Sequence, residues 1–357
     1  MTPRENLERV LCGETTDRVP MTAYENLMPQ CEAERMLRDR GVVIVDRRVP
    51  AFIRHYEGVT FKTVVNDENG RPVRRHHYDT PVGELTSAFE SEGGITRCVE
   101  KMFKTPDDYK ALLALIRSER YEPNHAAVAE RIERWGGDGI VRVAPGLEPM
   151  QHLISGDMMD TADWAMQWME NQDEILKLYD ALVEQRRKVY PIIAESPATV
   201  VNYGGNVTVE IIGPKIFEQF YMPHYAELVD ALAGTGKKVG CHFDANCNMI
   251  KHLIARTPLD YIEAFTPSPD TDMTLAEARN AWPDQVLWIN FPSSLHLKDE
   301  ATIRATAREL VDAIDVSEKF IMGITETVPN DRWRKSFHAI ADGLREAVPA
   351  NDVRSKP

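Results

Sequence analysis

The chain has 357 residues, with 42 Lys and Arg against 56 Asp and Glu, which gives a formal net charge of −14. Nucleic-acid binding depends largely on basic side chains that neutralise phosphates, so this charge argues against DNA, RNA and anionic membrane surfaces as partners. The length allows two average domains, but an α/β barrel often reaches this size as one unit, and we predict a single domain over residues 1–357.

The first part of the chain, 1–104, begins with helical spacing and continues with short strands and turns. Leu7 and Leu11 fall on one helical face with charged residues between them, so the start lacks the continuous apolar core of a signal peptide. Turn-forming and charged residues at 67–72 and 80–86 separate short strands later in this part. We therefore predict that 1–104 contributes N-terminal helices and a strand-and-turn elaboration to the main fold.

A regular alternation of helices and short apolar strands begins after an N-cap signal at Thr105. Buried strands are predicted at 139–144, 199–203, 238–244, 259–265, 285–291 and 319–326. Helices are predicted at 175–193, 214–232, 275–282, 302–314 and 331–348. Alternating strands and helices build parallel sheets, and no strand is followed by a Gly-x-Gly-x-x-Gly fingerprint. The pattern predicts an α/β fold, a (β/α)8 TIM barrel.

The cysteines are odd in number and scattered, which does not fit a secreted disulfide framework: Cys12, Cys31, Cys98, Cys241 and Cys247. No apolar run reaches the length of about 18 residues that is needed to span a bilayer. We therefore predict a soluble, cytoplasmic protein.

In barrels of this kind catalytic side chains come from the C-terminal ends of the strands and the loops after them. Asn202–Asn206 follows one predicted strand, and its two glycines permit close approach of a ligand. A plain turn is the alternative. His242 and Asp244 end another strand, and strand alternation places both side chains on one face. This pair predicts two metal ligands, although a histidine followed by a helix-capping aspartate gives the same pattern.

Two glutamates occupy neighbouring predicted strands, Glu263 within an apolar run and Glu326 at the end of one. A carboxylate in a buried strand needs a partner. One interpretation is that at least one of them binds a metal with His242 and Asp244; the other is that each pairs with a loop amide or an arginine such as Arg332. A zinc ion with these ligands and one open position would be a Lewis acid for a substrate oxygen.

Several segments resemble the uroporphyrinogen decarboxylase superfamily, and more closely its branch of corrinoid-dependent methyltransferases. The resemblance extends over nearly the whole chain and is carried by Arg4–Glu14, Asp17–Pro20, Ile212–Tyr225, Gly236–Val239 and Cys241–Ala245. Superfamily members that decarboxylate porphyrinogens have an arginine-bearing motif directly after the proline that corresponds to Pro20. Residues 21–30 contain no arginine here, so decarboxylation of a small aromatic or tetrapyrrole acid is the second hypothesis.

In the thiol-methylating members of the branch, zinc is bound by a His-x-Cys pair and a further cysteine on the last strand. This chain is similar at His242 but has Asp244 in place of the first cysteine, and its last strand offers Glu326. The resemblance therefore implies an oxygen-rich zinc site with His242, Asp244, Glu263 and Glu326 as ligands, and His242 and Glu326 as the catalytic pair. Such a site agrees with members that demethylate ethers such as methoxylated aromatics.

By the same resemblance, the methyl group of an O-methyl substrate passes to the Co(I) of a corrinoid. The chain lacks the Asp-x-His-x-x-Gly motif of cobalamin-binding domains, so a separate corrinoid protein is the expected partner. Tyr24, Asn202, Tyr203 and Asn206 are predicted from position to form the substrate wall. A homodimer also agrees with the superfamily, where dimers are common. A barrel that binds a ligand without turning it over is the third hypothesis.

Overall fold

A computed structural model describes residues 1–14, 16, 18–68, 71–92, 95–314 and 319–347. Asp17 of the motif at 17–20 and the end of the helix predicted at 331–348 lie outside these residues. The strands are β1 Met21–Tyr24, β2 Val42–Asp46, β3 Phe52–Tyr56, β4 Thr60–Glu68, β5 Arg71–Thr80, β6 Gly83–Glu92, β7 Ile95–Glu100, β8 Glu119–Pro123, β9 Gly139–Val143, β10 Val200–Tyr203, β11 Lys238–His242, β12 Tyr261–Phe265, β13 Val286–Asn290 and β14 Phe320–Ile324.

Eight parallel strands close into a barrel in the order β1-β14-β13-β12-β11-β10-β9-β2. The predicted (β/α)8 TIM barrel is therefore confirmed, and β9 to β14 correspond to the six predicted strands. The prediction for 1–104 was wrong in one respect, because β1 and β2 lie in that segment and complete the barrel. Both strands are short and lie among charged residues and turns, so the local sequence pattern did not distinguish them from the predicted elaboration.

The helices are α1 Pro3–Leu11, α2 Glu32–Asp39, α3 Tyr109–Ser118, α4 His125–Trp135, α5 Pro149–Ser155, α6 Thr161–Glu170, α7 Gln172–Glu195, α8 Val209–Phe220, α9 Met222–Ala231, α10 Lys251–Ile254, α11 Leu275–Ala281, α12 Glu300–Asp312 and α13 Trp333–Glu346. Short 3-10 helices occur at Pro106–Asp108, Asn248–Ile250 and Ser293–Leu297. Among the described helices, none is both long and apolar enough to span a membrane.

The barrel strands are buried along their whole length, as β12 and β13 illustrate, except β11, whose end residues Lys238 and His242 are partly exposed. A parallel barrel is covered on both faces, so its strands are nearly continuous apolar runs and not alternating ones. The pairing of β11 with β12 requires a small residue at position 240, because a Cβ at Gly240 would overlap the ring of Tyr261. Glycine at this position lets Tyr261 donate a 2.7 Å hydrogen bond to the carbonyl of Val201 in β10.

The chain divides into two compact units. The first contains the barrel and consists of Met1–Pro50, His125–Ala144 and Ser196–Pro357. The second consists of Ala51–Asn124 and Pro145–Glu195, and it contains a four-stranded antiparallel sheet, β4 to β7, and the two-stranded antiparallel ribbon of β3 and β8. Of the segment 1–104, residues 51–104 lie in the second unit and residues 1–50 lie in the first. Whether the units form one domain, as predicted for 1–357, stays a prediction.

Candidate active site

A network of polar side chains crosses the interior of the barrel near the C-terminal ends of its strands. Glu263 in β12 is completely buried and lies at its centre. Its Oε1 is 2.6 Å from Nη1 of Arg142 in β9 and accepts a short hydrogen bond from the Tyr24 hydroxyl at the end of β1. Its Oε2 is 2.7 Å from Nδ1 of His242 and accepts a 3.3 Å hydrogen bond from Nδ2 of Asn202. Five strands of the barrel thus meet at one carboxylate.

The two ring nitrogens of His242 face different carboxylates. Nδ1 lies against Glu263, and Nε2 lies 3.3 Å from Oδ2 of Asp244. The predicted alternation, with His242 and Asp244 on one face, is consistent with this contact. Gly205 lies beside the histidine, since a Cβ there would be 3.5 Å from Cβ of His242. The loop that begins at Asn202 therefore packs against the imidazole.

Two arginines hold the Tyr24 side chain. Nη2 of Arg142 donates a 3.1 Å hydrogen bond to the Tyr24 hydroxyl, and Cζ of Arg47 lies 3.4 Å from the centre of the ring. Arg47 also forms a 3.2 Å ion pair with Glu25. Tyr24 is therefore fixed by a cation–π contact on its face and hydrogen bonds at its hydroxyl.

The charges of this network set its protonation. Burial alone would raise the pKa of Glu263, but the adjacent Arg142 and His242 hold it well below its usual range. Burial opposes protonation of His242, yet the carboxylates of Glu263 and Asp244 outweigh it and raise the pKa of His242 to about 10. Burial raises the pKa of the Tyr24 hydroxyl. At neutral pH His242 is therefore protonated, Glu263 is ionised and the Tyr24 phenol is uncharged.

Asp244 lies on the side of His242 opposite Glu263. Oδ1 of Asp244 is buried and has no hydrogen-bond partner. Glu326 lies two residues beyond β14 and is exposed. Reduced hydration and then the Asp244 carboxylate raise the pKa of Glu326.

Only some of the side-chain nitrogen and oxygen atoms around His242 are suited to bind a metal ion. In the stretches that the structure describes, no three or more His, Cys, Asp and Glu side chains are gathered as a metal site. The partnerless Oδ1 of Asp244, however, lies beside a histidine whose Nδ1 is already held by a carboxylate, and metal-binding histidines usually have such a partner on their second nitrogen. His242 and Asp244 therefore provide two donors that fit zinc, and Glu326 is not gathered with them. Glu263 does not fit as a ligand, because both of its oxygens are engaged.

The predicted substrate wall is brought together only in part. Tyr24 and Asn202 belong to the network, whereas Asn206 is exposed in the loop and has a backbone φ of 55°. Tyr203 is fully buried and packs edge-on against Tyr225 of α9, with ring centroids 5.8 Å apart. Strand alternation explains the difference, because Asn202 and Tyr203 face opposite sides of β10.

Arg142 is the principal residue that the sequence analysis missed. It is the only charged residue of the strand predicted at 139–144, and a buried arginine needs a carboxylate as much as Glu263 needs a cation. The anticipated arginine partner for a buried glutamate therefore exists, but it is Arg142 and not Arg332. Arg47, which stacks on Tyr24, directly follows β2, a barrel strand that the sequence analysis did not single out.

Comparison with models of known protein families identifies the family of this chain. Residues 147–341, more than half of its length, match the model of the family described as uroporphyrinogen decarboxylase (URO-D). The chain belongs to the URO-D family. No curated protein sequence matches it significantly.

Among solved structures, the URO-D-family chain is similar to a methyltransferase from Methanosarcina mazei, with a TM-score of 0.59 and 12% identity over 97% of this chain and 99% of that one. It also matches the GH20 catalytic modules of the pneumococcal exo-beta-D-N-acetylglucosaminidase StrH, with a TM-score of 0.41 and 11% identity over 98% of this chain and 89% of that one. The first likeness shows the fold alone, and the second carries no argument.

Proposed function

We propose that this chain is a zinc-dependent methyltransferase that takes the methyl group of an O-methyl substrate, such as a methoxylated aromatic, and passes it to the Co(I) corrinoid of a partner protein. The observation that carries the proposal is the pairing of His242 with Glu263 on one nitrogen and with Asp244 on the other, at distances of 2.7 and 3.3 Å. Membership of the URO-D family and the methyltransferase fold neighbour support it.

Each residue of the network has a role in the proposal. Glu263 holds the Nδ1–H of His242, so Nε2 is the nitrogen that remains for a metal. Arg142 neutralises Glu263, and Tyr24 and Asn202 occupy the rest of its oxygen lone pairs, which keeps this carboxylate out of the ligand set. His242, Asp244 and Glu326 are then the protein donors. When bound, zinc would supply a Lewis acid for the ether oxygen, and the corrinoid would supply the nucleophile for an in-line displacement at the methyl carbon.

The substrate oxygen would lie on the Asp244 side of His242, since the Glu263 side is filled by protein. The carbon–oxygen bond would break with its electron pair on oxygen as the methyl carbon bonds to cobalt, and the oxygen anion would then take a proton from solvent to become the product hydroxyl. Tyr24 and Asn202 form the closed inner wall that excludes water from the histidine; both are buried.

The first experiment measures zinc in the purified protein and methyl transfer from 2-methoxyphenol to cob(I)alamin as a substitute for the partner's corrinoid. We expect about one zinc per chain, and a loss of both zinc and transfer in His242→Gln, Asp244→Asn and Glu326→Ala. His252→Gln is the matched control, because His252 is exposed on α10. Zinc-free protein after zinc is supplied, or transfer that survives in His242→Gln, would contradict the proposal.

The second hypothesis, decarboxylation, is favoured by one observation: Arg47 is a partly exposed cation next to Tyr24. It predicts release of CO2 from an aromatic or tetrapyrrole acid that is lost in Arg47→Gln and unaffected by chelators. Arg142 does not support it, because its guanidinium is paired with Glu263. Ligand binding without turnover, the third hypothesis, predicts that His242→Gln leaves ligand affinity unchanged.

A further inference from the structure

The second unit contains a cluster of buried titratable side chains in which no residue of the barrel network takes part. It lies on one face of the ribbon formed by β3 and β8, where Arg54 and Tyr121 are cross-strand neighbours. Nη1 of Arg54 is 2.9 Å from Oε1 of Glu119, and the Tyr121 hydroxyl donates a short hydrogen bond to the other oxygen of the same carboxylate. Glu119 is therefore fully engaged within the cluster.

Arg186 of α7 is the unusual member of the cluster. Its residue surface is only 8% exposed. Its Nη1 donates to the carbonyl of Pro145, and its Nη2 lies 3.3 Å from Nδ1 of His152 on α5. A guanidinium has five N–H groups, and these contacts use two of them. Nε of Arg186 is buried without a hydrogen-bond partner, and no carboxylate in the described ranges forms an ion pair with this arginine.

The surroundings hold the guanidinium in place. Gly146 has a backbone φ of 111°, and a Cβ there would lie 2.5 Å from Nη1 of Arg186. Burial, and then the charges of Arg186 and Arg54, lower the pKa of His152 to about 3, so the imidazole is neutral and its Nδ1 accepts from Arg186. A buried cation with unused donors is costly unless an anion completes its hydrogen bonds.

We propose that Arg186 and Arg54 form a binding site for the carboxylate of a small organic acid in the second unit. A carboxylate presents two acceptors to a guanidinium fork, which matches the unused donors of Arg186. Arg54 connects the proposed site to solvent, because its side chain is 44% exposed, whereas its partner Glu119 is buried. The rings of Phe52, Tyr56 and Tyr121 share the same face of the ribbon and suit an aromatic body.

The balance of charge limits the class of ligand. Glu119 compensates Arg54, and the carboxylate of Asp157 also acts on Arg54 and Tyr56. Arg186 is the guanidinium of the cluster that forms no ion pair among the described residues, and the two oxygens of one carboxylate match its fork, so a monoanion is the class of ligand we propose. The site is independent of the proposed methyl transfer, because its residues and its test are separate.

The test measures benzoate binding to the whole chain by isothermal titration calorimetry, with inorganic phosphate as the comparison ligand. We expect benzoate to bind, and its Kd to rise about tenfold or more in Arg54→Gln and in Arg186→Gln. Arg120→Gln is the matched control, because Arg120 lies on β8 of the same ribbon and is about half-exposed like Arg54, but belongs to the opposite face. Its Kd is expected to equal that of the wild type.

A second variant distinguishes a loss of benzoate binding from a loss of folding. Arg186→Lys keeps the charge but loses the planar fork, so we expect a folded protein with weakened benzoate binding. Benzoate should also raise the melting temperature of the wild type and of Arg120→Gln, and not that of Arg54→Gln. Failure of benzoate to bind the wild type, equal affinity in all variants, or binding of phosphate without benzoate would overturn the proposal.

Discussion

Nδ1 of His242 lies 2.7 Å from Oε2 of Glu263, and the opposite oxygen of the same glutamate lies 2.6 Å from Nη1 of Arg142. One buried carboxylate thus stands between two cations from different strands. The contact explains why a glutamate is tolerated inside an apolar strand, because each charge compensates the desolvation of its neighbour.

Glu263→Gln is expected to destabilise the protein by about 3 to 5 kcal/mol, because it leaves Arg142 buried without a counter-charge and His242 with Asp244 as its one carboxylate partner. Urea denaturation measures the loss. Glu309→Gln, at an exposed position of α12, is the control and should stay within about 0.5 kcal/mol of the wild type. In the double variant Arg142→Met/Glu263→Gln we expect a smaller loss than the sum of the single changes; strict additivity would contradict the coupling.

Zinc affinity should also depend on Glu263, although it is not among the proposed ligands. Loss of the carboxylate that orients a metal-binding histidine typically weakens affinity by about 10- to 100-fold. We expect this range for Glu263→Gln in a competition with a zinc chelator, and a larger loss for Asp244→Asn. If Glu263→Gln abolished binding as completely as His242→Gln, Glu263 would be a ligand after all.

Stability should fall at mildly acidic pH because of His296. This residue is 2% exposed and its Nδ1 lies 2.5 Å from Oγ of Ser336. Burial lowers the pKa of His296 to about 4, below the value of about 6.5 in an unfolded chain. The unfolded state therefore binds the proton first, so the contribution of His296 is complete above pH 6.5 and is lost as pH falls towards 4.

Unfolding free energies at several pH values between 7.5 and 5 check this prediction. The wild type should lose up to about 1.4 kcal/mol per pH unit through this histidine, and His296→Gln should show a correspondingly flatter profile. The difference between the two curves isolates His296 from the other histidines. Parallel curves would show that the pKa of His296 is the same in the folded and unfolded states, which would contradict the prediction.

Gly240→Ala is expected to destabilise the barrel by about 1 to 3 kcal/mol, because its Cβ would overlap the Tyr261 ring and displace the hydrogen bond to Val201. Thermal unfolding measures the effect. Tyr261→Phe, which removes only the hydroxyl, should cost less. Combining Gly240→Ala with Tyr261→Leu should recover part of the loss; an unchanged loss would assign it to the strand backbone.

Barrel strands were predicted from the sequence where they lay between predicted helices, and they were missed where they lay among turns and charged residues. Buried strands such as β12 and β13 are continuous apolar runs between helices and were recognised. Val42–Asp46 is equally apolar but is followed by two arginines, and Met21–Tyr24 has only four residues, so both strands were assigned to an elaboration. Closure of the barrel depends on pairing across the chain, which local patterns do not contain.

In the candidate site, the sequence predicted contacts within one strand but not contacts between strands. Strand alternation was sufficient to place His242 and Asp244 together, and the cost of a buried charge singled out Glu263. Which partner satisfies Glu263 depends on the register of β9 against the other strands, so Arg142 was missed. Tyr203 lies on the opposite face of β10 from Asn202 and packs against Tyr225, and its place in the substrate wall stays a prediction.

The pairing of β1 with β14 has a consequence for biosynthesis. Met21 is aligned with Met322, about 300 residues later, and Nε1 of Trp288 donates a hydrogen bond to Thr22 across the same region. At about 5 to 20 residues per second, a ribosome would need roughly 15 to 60 s to deliver the last strand after the first. Until then β1 has a free edge, so the nascent chain needs protection from aggregation, and truncation before residue 320 should leave an open sheet.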